Sequence, residues 1–234
     1  MKNAVIVVAA GKGKRFKNKL PKQYVKVGGR EILAHSLDNF EKSPLIDAIV
    51  LVVSPEYAPY ARKMAVKYGY KKIKGIVNGG AERFHSVYNA VTFLRDFSPE
   101  NVLIHDGARP KIGAAIIKKV ITALKKEKAV IPVNRIFATV KQVKDGYIEK
   151  TIDRNTLRTA HTPQGFKYRE LLKLYEIGNL EFRKPTDDAA VFEAAGIRVK
   201  VIEDEEENVK VTVKKDIHKL LSQKPKAKSK GIKV

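Results

Sequence analysis

The chain has 234 residues, with 47 lysines and arginines against 25 acids, a formal net charge of +22 and no cysteine. That excludes disulfides, a thiolate metal site and a cysteine nucleophile, and the length suits one domain with an ordinary core. No signal-peptide pattern opens the chain and no apolar run approaches the ~18 residues of a membrane helix, so a soluble, cytoplasmic protein with no membrane partner is expected.

Residues 5–9, VIVVA, form a short apolar run that predicts a strand buried on both faces. It opens into Gly11 and Gly13 with Lys12, Lys14 and Arg15 around them, then Pro21-Lys22-Gln23. Glycines let backbone N–H groups approach an anion, and the cations add charge, so phosphate binding is the chemistry this stretch predicts. A dinucleotide fingerprint would need glycine where Phe16 stands, and an acid about 20 residues further on. That region is instead Arg30-Glu31, at a predicted helix start, and the Walker A spacing is absent as well.

Further along, helices are predicted over 31–40, 56–68, 82–94 and 113–126, and strands over 48–53, 73–77, 102–105 and 129–133. This alternation predicts an α/β fold, a mainly parallel sheet with right-handed crossovers. It breaks at 139–144 and 147–152, two β-like segments joined by Asp145-Gly146, a strong hairpin signal. An isolated hairpin is marginal in water, so a partner surface is expected for it. Helices are predicted again over 168–177, 187–194 and 215–221, and strands over 198–202 and 209–213. The composition predicts a single domain over 1–222, with the arm at about 136–157, and a lysine-rich tail over 223–234 that is expected to be disordered.

Three candidate sites fall at predicted strand ends, where open α/β sheets bind ligands. They are the Gly11–Lys22 stretch, His105-Asp106-Gly107-Ala108-Arg109, and Lys210 within the β-branched run NVKVT. Asp106 beside a phosphate loop suits a divalent metal or a ribose hydroxyl, or else simply an Asx turn. Lys210 on a buried strand implies an edge or a functional position. The positive charge also raises nucleic acid as a partner. Yet the lysines are spread out, with few aromatics between them and no recognition motif, so no dedicated nucleic-acid partner is expected.

With these pieces in order, the chain resembles the 2-C-methyl-D-erythritol 4-phosphate cytidylyltransferases, within the sugar-phosphate nucleotidyltransferases. The residues that carry the resemblance are AAGKGKR (9–15), PKQY (21–24), GGAERFHSV (79–87), HDGARP (105–110), TIDRN (151–155), TPQGF (162–166), TDDA (186–189) and NVKVT (208–212). The resemblance implies a three-layer, Rossmann-like fold with a protruding β-hairpin arm. It also implies cytidylyl transfer from CTP to the polyol phosphate, with Mg²⁺ or another divalent cation, in the non-mevalonate isoprenoid pathway. By that resemblance Arg15, Lys22, Lys210 and Arg154 are catalytic. Ala9, Ala10, Gly11, Gly13, Gly79, Gly80, Ser86 and Asp106 hold the nucleotide, and Asp106 also the metal. Arg109, Thr139, Arg154 and Lys210 hold the polyol phosphate, with Thr139 and Arg154 carried by the arm into the partner of a homodimer. This sequence departs from the pattern at Ala81 and Ala138, where the family usually has acids. Ribitol 5-phosphate is the alternative substrate, and a basic nucleic-acid-binding protein the alternative from another class.

Overall fold

The computed structural model describes residues 1–11, 13–16, 18, 20–177, 185–204 and 208–221. The lysine-rich tail at 223–234 and Lys12 lie outside these residues.

The elements follow in order: β1 (Asn3–Ala9), β2 (Lys26–Val27), β3 (Arg30–Glu31), α1 (Ile32–Lys42), β4 (Ala48–Val53), α2 (Ala58–Tyr68), β5 (Ile73–Asn78), α3 (Arg83–Phe93) and β6 (Asn101–Asp106). Then come α4 (Ala114–Ala123), β7 (Ala129–Arg135), β8 (Val140–Lys144), β9 (Tyr147–Ile152), β10 (Arg158–Ala160), β11 (Gln164–Lys167), α5 (Tyr168–Ile177), α6 (Ala189–Ala194), β12 (Lys200–Glu203) and α7 (Asp216–Leu221). The principal sheet runs β7, β11, β6, β1, β4, β5 with β12 and β10 also paired to β7. Strands β1, β4, β5 and β6 are mutually parallel, whereas β10 and β11 run antiparallel. The sheet is therefore mixed but mostly parallel.

Alternation along each buried strand explains the three layers. In β4 every residue is buried, yet Ile49, Leu51 and Val53 face one core while Ala48, Val50 and Val52 face the other. The first core takes Leu33, Leu37 and Phe40 of α1, Met64 of α2 and Ile117 of α4. The second takes Val87 and Val91 of α3, Leu171 of α5 and Phe192 of α6. Within it Phe166 of β11 stacks on Phe192 with centroids 4.8 Å apart, which ties the antiparallel strand to its covering helix.

Three differences from the sequence reading stand out. Residues 209–213 are not a strand: they run in an irregular path, and the buried Val211 donates its N–H to the Ala108 carbonyl (2.9 Å). That single bond substitutes for a ladder, so β-branched composition reported burial there rather than pairing. Strands β10 and β11 carry no clean alternation of their own and owe their conformation to β7 and β6. The ribbon of β2 and β3 is two residues a side, below what periodicity can report.

The arm behaves as expected. Strands β8 and β9 form a separate two-stranded sheet, and Asp145 (φ 50°) and Gly146 (φ 84°) take the left-handed conformations of a type I′ turn. Phe137, Val143, Tyr147 and Ile148 on and beside it are all exposed.

Candidate functional site

Three strand ends build one cavity. Strand β1 delivers Val8, Ala9 and the loop Ala10–Gly13, and β6 delivers Asp106. Between them, the Gly107 N–H donates to the Val8 carbonyl (2.9 Å), closing the two ends together. Beyond β5, the Gly79 N–H donates to the Val53 carbonyl (2.8 Å). A Cβ on Gly79 would lie 2.3 Å from the Ala10 Cβ, so only glycine lets these loops approach. The cavity holds about 550 Å³, within the range of small-molecule sites.

The first loop is fixed by Gln23, whose role the sequence reading missed. It is buried, and its Nε2 donates to the carbonyls of Ala9 (2.6 Å) and Gly11 (3.1 Å). Those two carbonyls are thus occupied by Gln23, which itself lines the cavity. Gly13 has φ 61°, a left-handed position, and its carbonyl accepts from the Phe16 N–H (2.8 Å). Lys22 then folds back over Gly13, and its Nζ donates to the Val211 carbonyl (2.6 Å).

On the opposite wall, the Ser86 hydroxyl accepts from the Gly80 N–H (3.0 Å) and donates to the Glu82 carbonyl (3.2 Å). Ala81 lines the cavity where the family usually has an acid, and Glu82 lines it one residue later. The Glu82 carboxylate is already engaged, because it caps the first turn of α3 in a reciprocal box with His85.

Asp106 is the electrostatic centre. One carboxylate oxygen, Oδ2, lies 2.8 Å from Lys210 Nζ and 3.4 Å from Arg109 Nε, while Oδ1 lies 3.7 Å from Arg83 Nε. Burial alone would raise its pKa, but Lys210, Arg83 and Arg109 outweigh it and hold the carboxyl well below the usual carboxylate range. Lys22 goes the other way: burial first, then the nearby Lys210 charge, pull its ammonium down to about 8.

The predicted site residues divide into two groups. Ala9, Ala10, Gly11, Gly13, Lys22, Gly80, Ser86, Asp106 and Lys210 all line the cavity, and Gly79 sits directly behind it. Arg15 is exposed on the turn after Gly13 and is not among the lining residues. Arg109 is buried, with Nη1 donating to the Asn208 carbonyl (2.7 Å) and Nε toward Asp106, so it ties the 208–212 segment to β6. Thr139 and Arg154 are exposed on the arm and line no part of this chain's own cavity. The Arg154 guanidinium donates to the Phe137 carbonyl, which fixes it at the arm's base. Arg83 lines the cavity too, although the sequence shows it only as one letter of a motif. Its position, a cation at a helix start directly after a glycine turn, is the signal that could have marked it. Among the described residues no group of three or more His, Cys, Asp or Glu could hold a metal ion.

A mostly parallel α/β sheet whose carboxyl ends gather a glycine turn, cations and one carboxylate around a cavity defines a nucleotide-phosphate-binding protein. Comparison with known proteins narrows the class. A family model described as 2-C-methyl-D-erythritol 4-phosphate cytidylyltransferase matches residues 3–220, and the chain belongs to that family. The Clostridium acetobutylicum enzyme of that name is 38% identical over 92% of this chain and 94% of its own length. A bifunctional enzyme IspD/IspF of Paramagnetospirillum magneticum is 41% identical over 93% of this chain, which spans 56% of that relative's length. The crystal structure of 4-diphosphocytidyl-2C-methyl-D-erythritol synthase from Anaerococcus prevotii superimposes with a TM-score of 0.80 at 32% identity, covering 93% of each chain. Among the described residues no helix is long and apolar enough to cross a membrane.

Proposed function

We propose that this chain transfers the cytidylyl group of CTP to 2-C-methyl-D-erythritol 4-phosphate, releasing pyrophosphate, in isoprenoid precursor synthesis. The observation that carries the reading is the meeting of Lys22, Lys210 and Asp106 in one cavity behind a glycine turn. A phosphate oxygen of the polyol phosphate forms a bond to the α-phosphorus of CTP. The bond from that phosphorus to the β-phosphate bridging oxygen breaks, and pyrophosphate carries away the electron pair.

Such a transfer asks the protein to position polyanions and spread the charge of the transferring group. Lys22 lies beside the glycine turn and serves the leaving phosphates together with the exposed Arg15. Lys210 serves the α-phosphate and the incoming phosphate. On this reading Ala9, Ala10, Gly79 and Ser86 frame the cytosine.

A divalent cation fits one feature of the site. Asp106 presents one carboxylate to the cavity, and magnesium is commonly held by one or two carboxylates plus substrate phosphates. When bound it would neutralise phosphate charge. Asp106 is the residue of this chain that would hold it.

The arm and its residues complete the reading. Thr139 and Arg154 are exposed and stand outside the cavity, while apolar side chains of the arm face solvent. A homodimer in which each arm covers its partner and brings Thr139 and Arg154 to the partner's polyol phosphate accounts for both facts. A cytoplasmic location, where CTP is made, belongs to the same reading.

The test is pyrophosphate release from CTP and Mg²⁺ with a panel of polyol phosphates. Release with 2-C-methyl-D-erythritol 4-phosphate is expected. Release with ribitol 5-phosphate alone would move the chain to the sister activity, and release with neither would overturn the reading.

A further inference from the structure

Two motifs line no part of the cavity: TPQ at 162–164 and TDD at 186–188. They meet each other instead. The buried Gln164 accepts at Oε1 from the N–H groups of Asp188 (3.1 Å) and Ala189 (3.2 Å), and its Nε2 donates to Asp187 Oδ2 (2.8 Å). The Asp188 carboxylate, only 1% exposed, accepts the Tyr175 hydroxyl at Oδ1 (2.7 Å) and Arg83 Nη2 at Oδ2 (2.7 Å). Arg83 is the far end of this chain of contacts and lines the cavity, with its Nε 3.7 Å from Asp106 Oδ1.

A carboxylate this buried is costly to desolvate unless its bonding is complete, and here each carboxylate oxygen has its own donor. What the arrangement produces at the cavity is a guanidinium with one preferred direction. Arginine has long rotamer freedom, and without Asp188 the ion pair left to Arg83 is the longer one, to Asp106 itself. The direction matters because Asp106 shares its Oδ2 with Lys210, the cation that phosphate would draw away. Oδ1 and Arg83 are independent of that exchange.

We propose that Asp188 is a positioning residue of the nucleotide cavity: clamped by Gln164 and Tyr175, it aims Arg83 at Asp106, so that Oδ1 keeps a guanidinium partner of its own, beside Arg109 at Oδ2, when Lys210 turns to phosphate. This rests on the reading of the cavity as a CTP site. It gives the two motifs one common duty, which neither shows when taken alone.

The test is a thermodynamic cycle on CTP binding with Mg²⁺, read by calorimetry and separately from turnover. Arg83→Met and Asp188→Asn are each expected to weaken CTP binding about tenfold, the scale of one charged hydrogen bond. The double variant is expected to lose about tenfold in total rather than about a hundredfold, because both changes break one chain. Full additivity, or normal binding in Asp188→Asn, would overturn the proposal. If Asp188→Asn fails to fold, Tyr175→Phe removes only the hydroxyl that holds Asp188. It should weaken CTP binding by a smaller factor and lose that effect in the Arg83→Met background. An unchanged affinity, or an effect that persists in that background, counts against the chain of contacts. Wild-type protein that binds no CTP fails the functional reading itself, a result distinct from any of these.

Discussion

Lys210 Nζ lies 2.8 Å from Asp106 Oδ2, so the cation proposed for phosphate is paired with an acid of the same cavity. The pair crosses from an irregular segment near the carboxyl end to the end of β6, and Val211 anchors that segment through the Ala108 carbonyl. Lys210→Ala should therefore have two effects. It removes the cation proposed for the α-phosphate and leaves Asp106 with only its guanidinium partners, Arg83 and Arg109. A rate loss of roughly 10²–10³ is expected, comparable to removing one donor from an oxyanion site. Steady-state pyrophosphate release measures it, and a loss under about threefold would remove Lys210 from the catalytic set.

Lys22 supplies a pH signature. Its ammonium sits at about 8 in the folded protein, below the ordinary lysine value of 10.5. The charge proposed to stabilise the leaving phosphates is present below that value and is lost as pH rises through it. The kcat/KM for CTP should fall above about pH 8, and Lys22→Arg should move the fall upward, since a guanidinium stays charged. An unmoved break in Lys22→Arg would assign it to another group. Stability has its own sign. Between about 8 and 10.5 the unfolded chain binds the proton and the folded one does not, so unfolding free energy rises with pH across that window. Urea titrations at about pH 7.5 and about pH 10, compared with Lys22→Met, check this contribution.

Gly79→Ala tests the close approach of the two loops. The added Cβ would meet the Ala10 Cβ at 2.3 Å and the Ser86 Oγ at 3.0 Å. Relief requires the loop after β5 to move away from the loop after β1, at a cost of ~1–3 kcal/mol of stability. CTP affinity should fall together with the melting temperature. Gly11→Ala is the control for stability alone, because no atom lies within 4 Å of a Cβ there while the position itself lines the cavity.

The arm carries the assembly prediction. Tyr147 is 81% exposed and Ile148 64% exposed on a hairpin that pairs with no strand of the principal sheet. Ile148→Asp should shift the protein to a monomer in sedimentation velocity and cut turnover, while CTP binding to each chain's own cavity persists. A variant that stays dimeric would remove the arm from the interface.

Several parts of this protein were legible in the order of its residues. The buried runs 48–53 and 102–105 are strands because a short, mostly apolar series rich in Val and Ile is a two-sided strand or a buried helix, and the length decides between these. Asp145-Gly146 became the predicted turn because few residues accept positive φ. The loop after β1 was legible for the same local reason, glycine beside cations. What escaped was set by distant neighbours. Residues 209–213 have strand composition but no strand to pair with, and Gln23 and Gln164 act through carbonyls and N–H groups that lie elsewhere in space. A glutamine's partner leaves no periodic trace.

The sequence by itself determined the alternating elements, the glycine-rich turn after β1 and the hairpin, each written within a few neighbouring residues, and the family, through motifs ordered along the chain. Only the tertiary structure decided that Lys210 pairs with Asp106, that Arg109 is spent on Asn208, and that Asp188 reaches the cavity through Arg83. Those are contacts between residues about a hundred positions apart. Their geometry follows from how the helices pack on the sheet, and packing is a property of the whole chain.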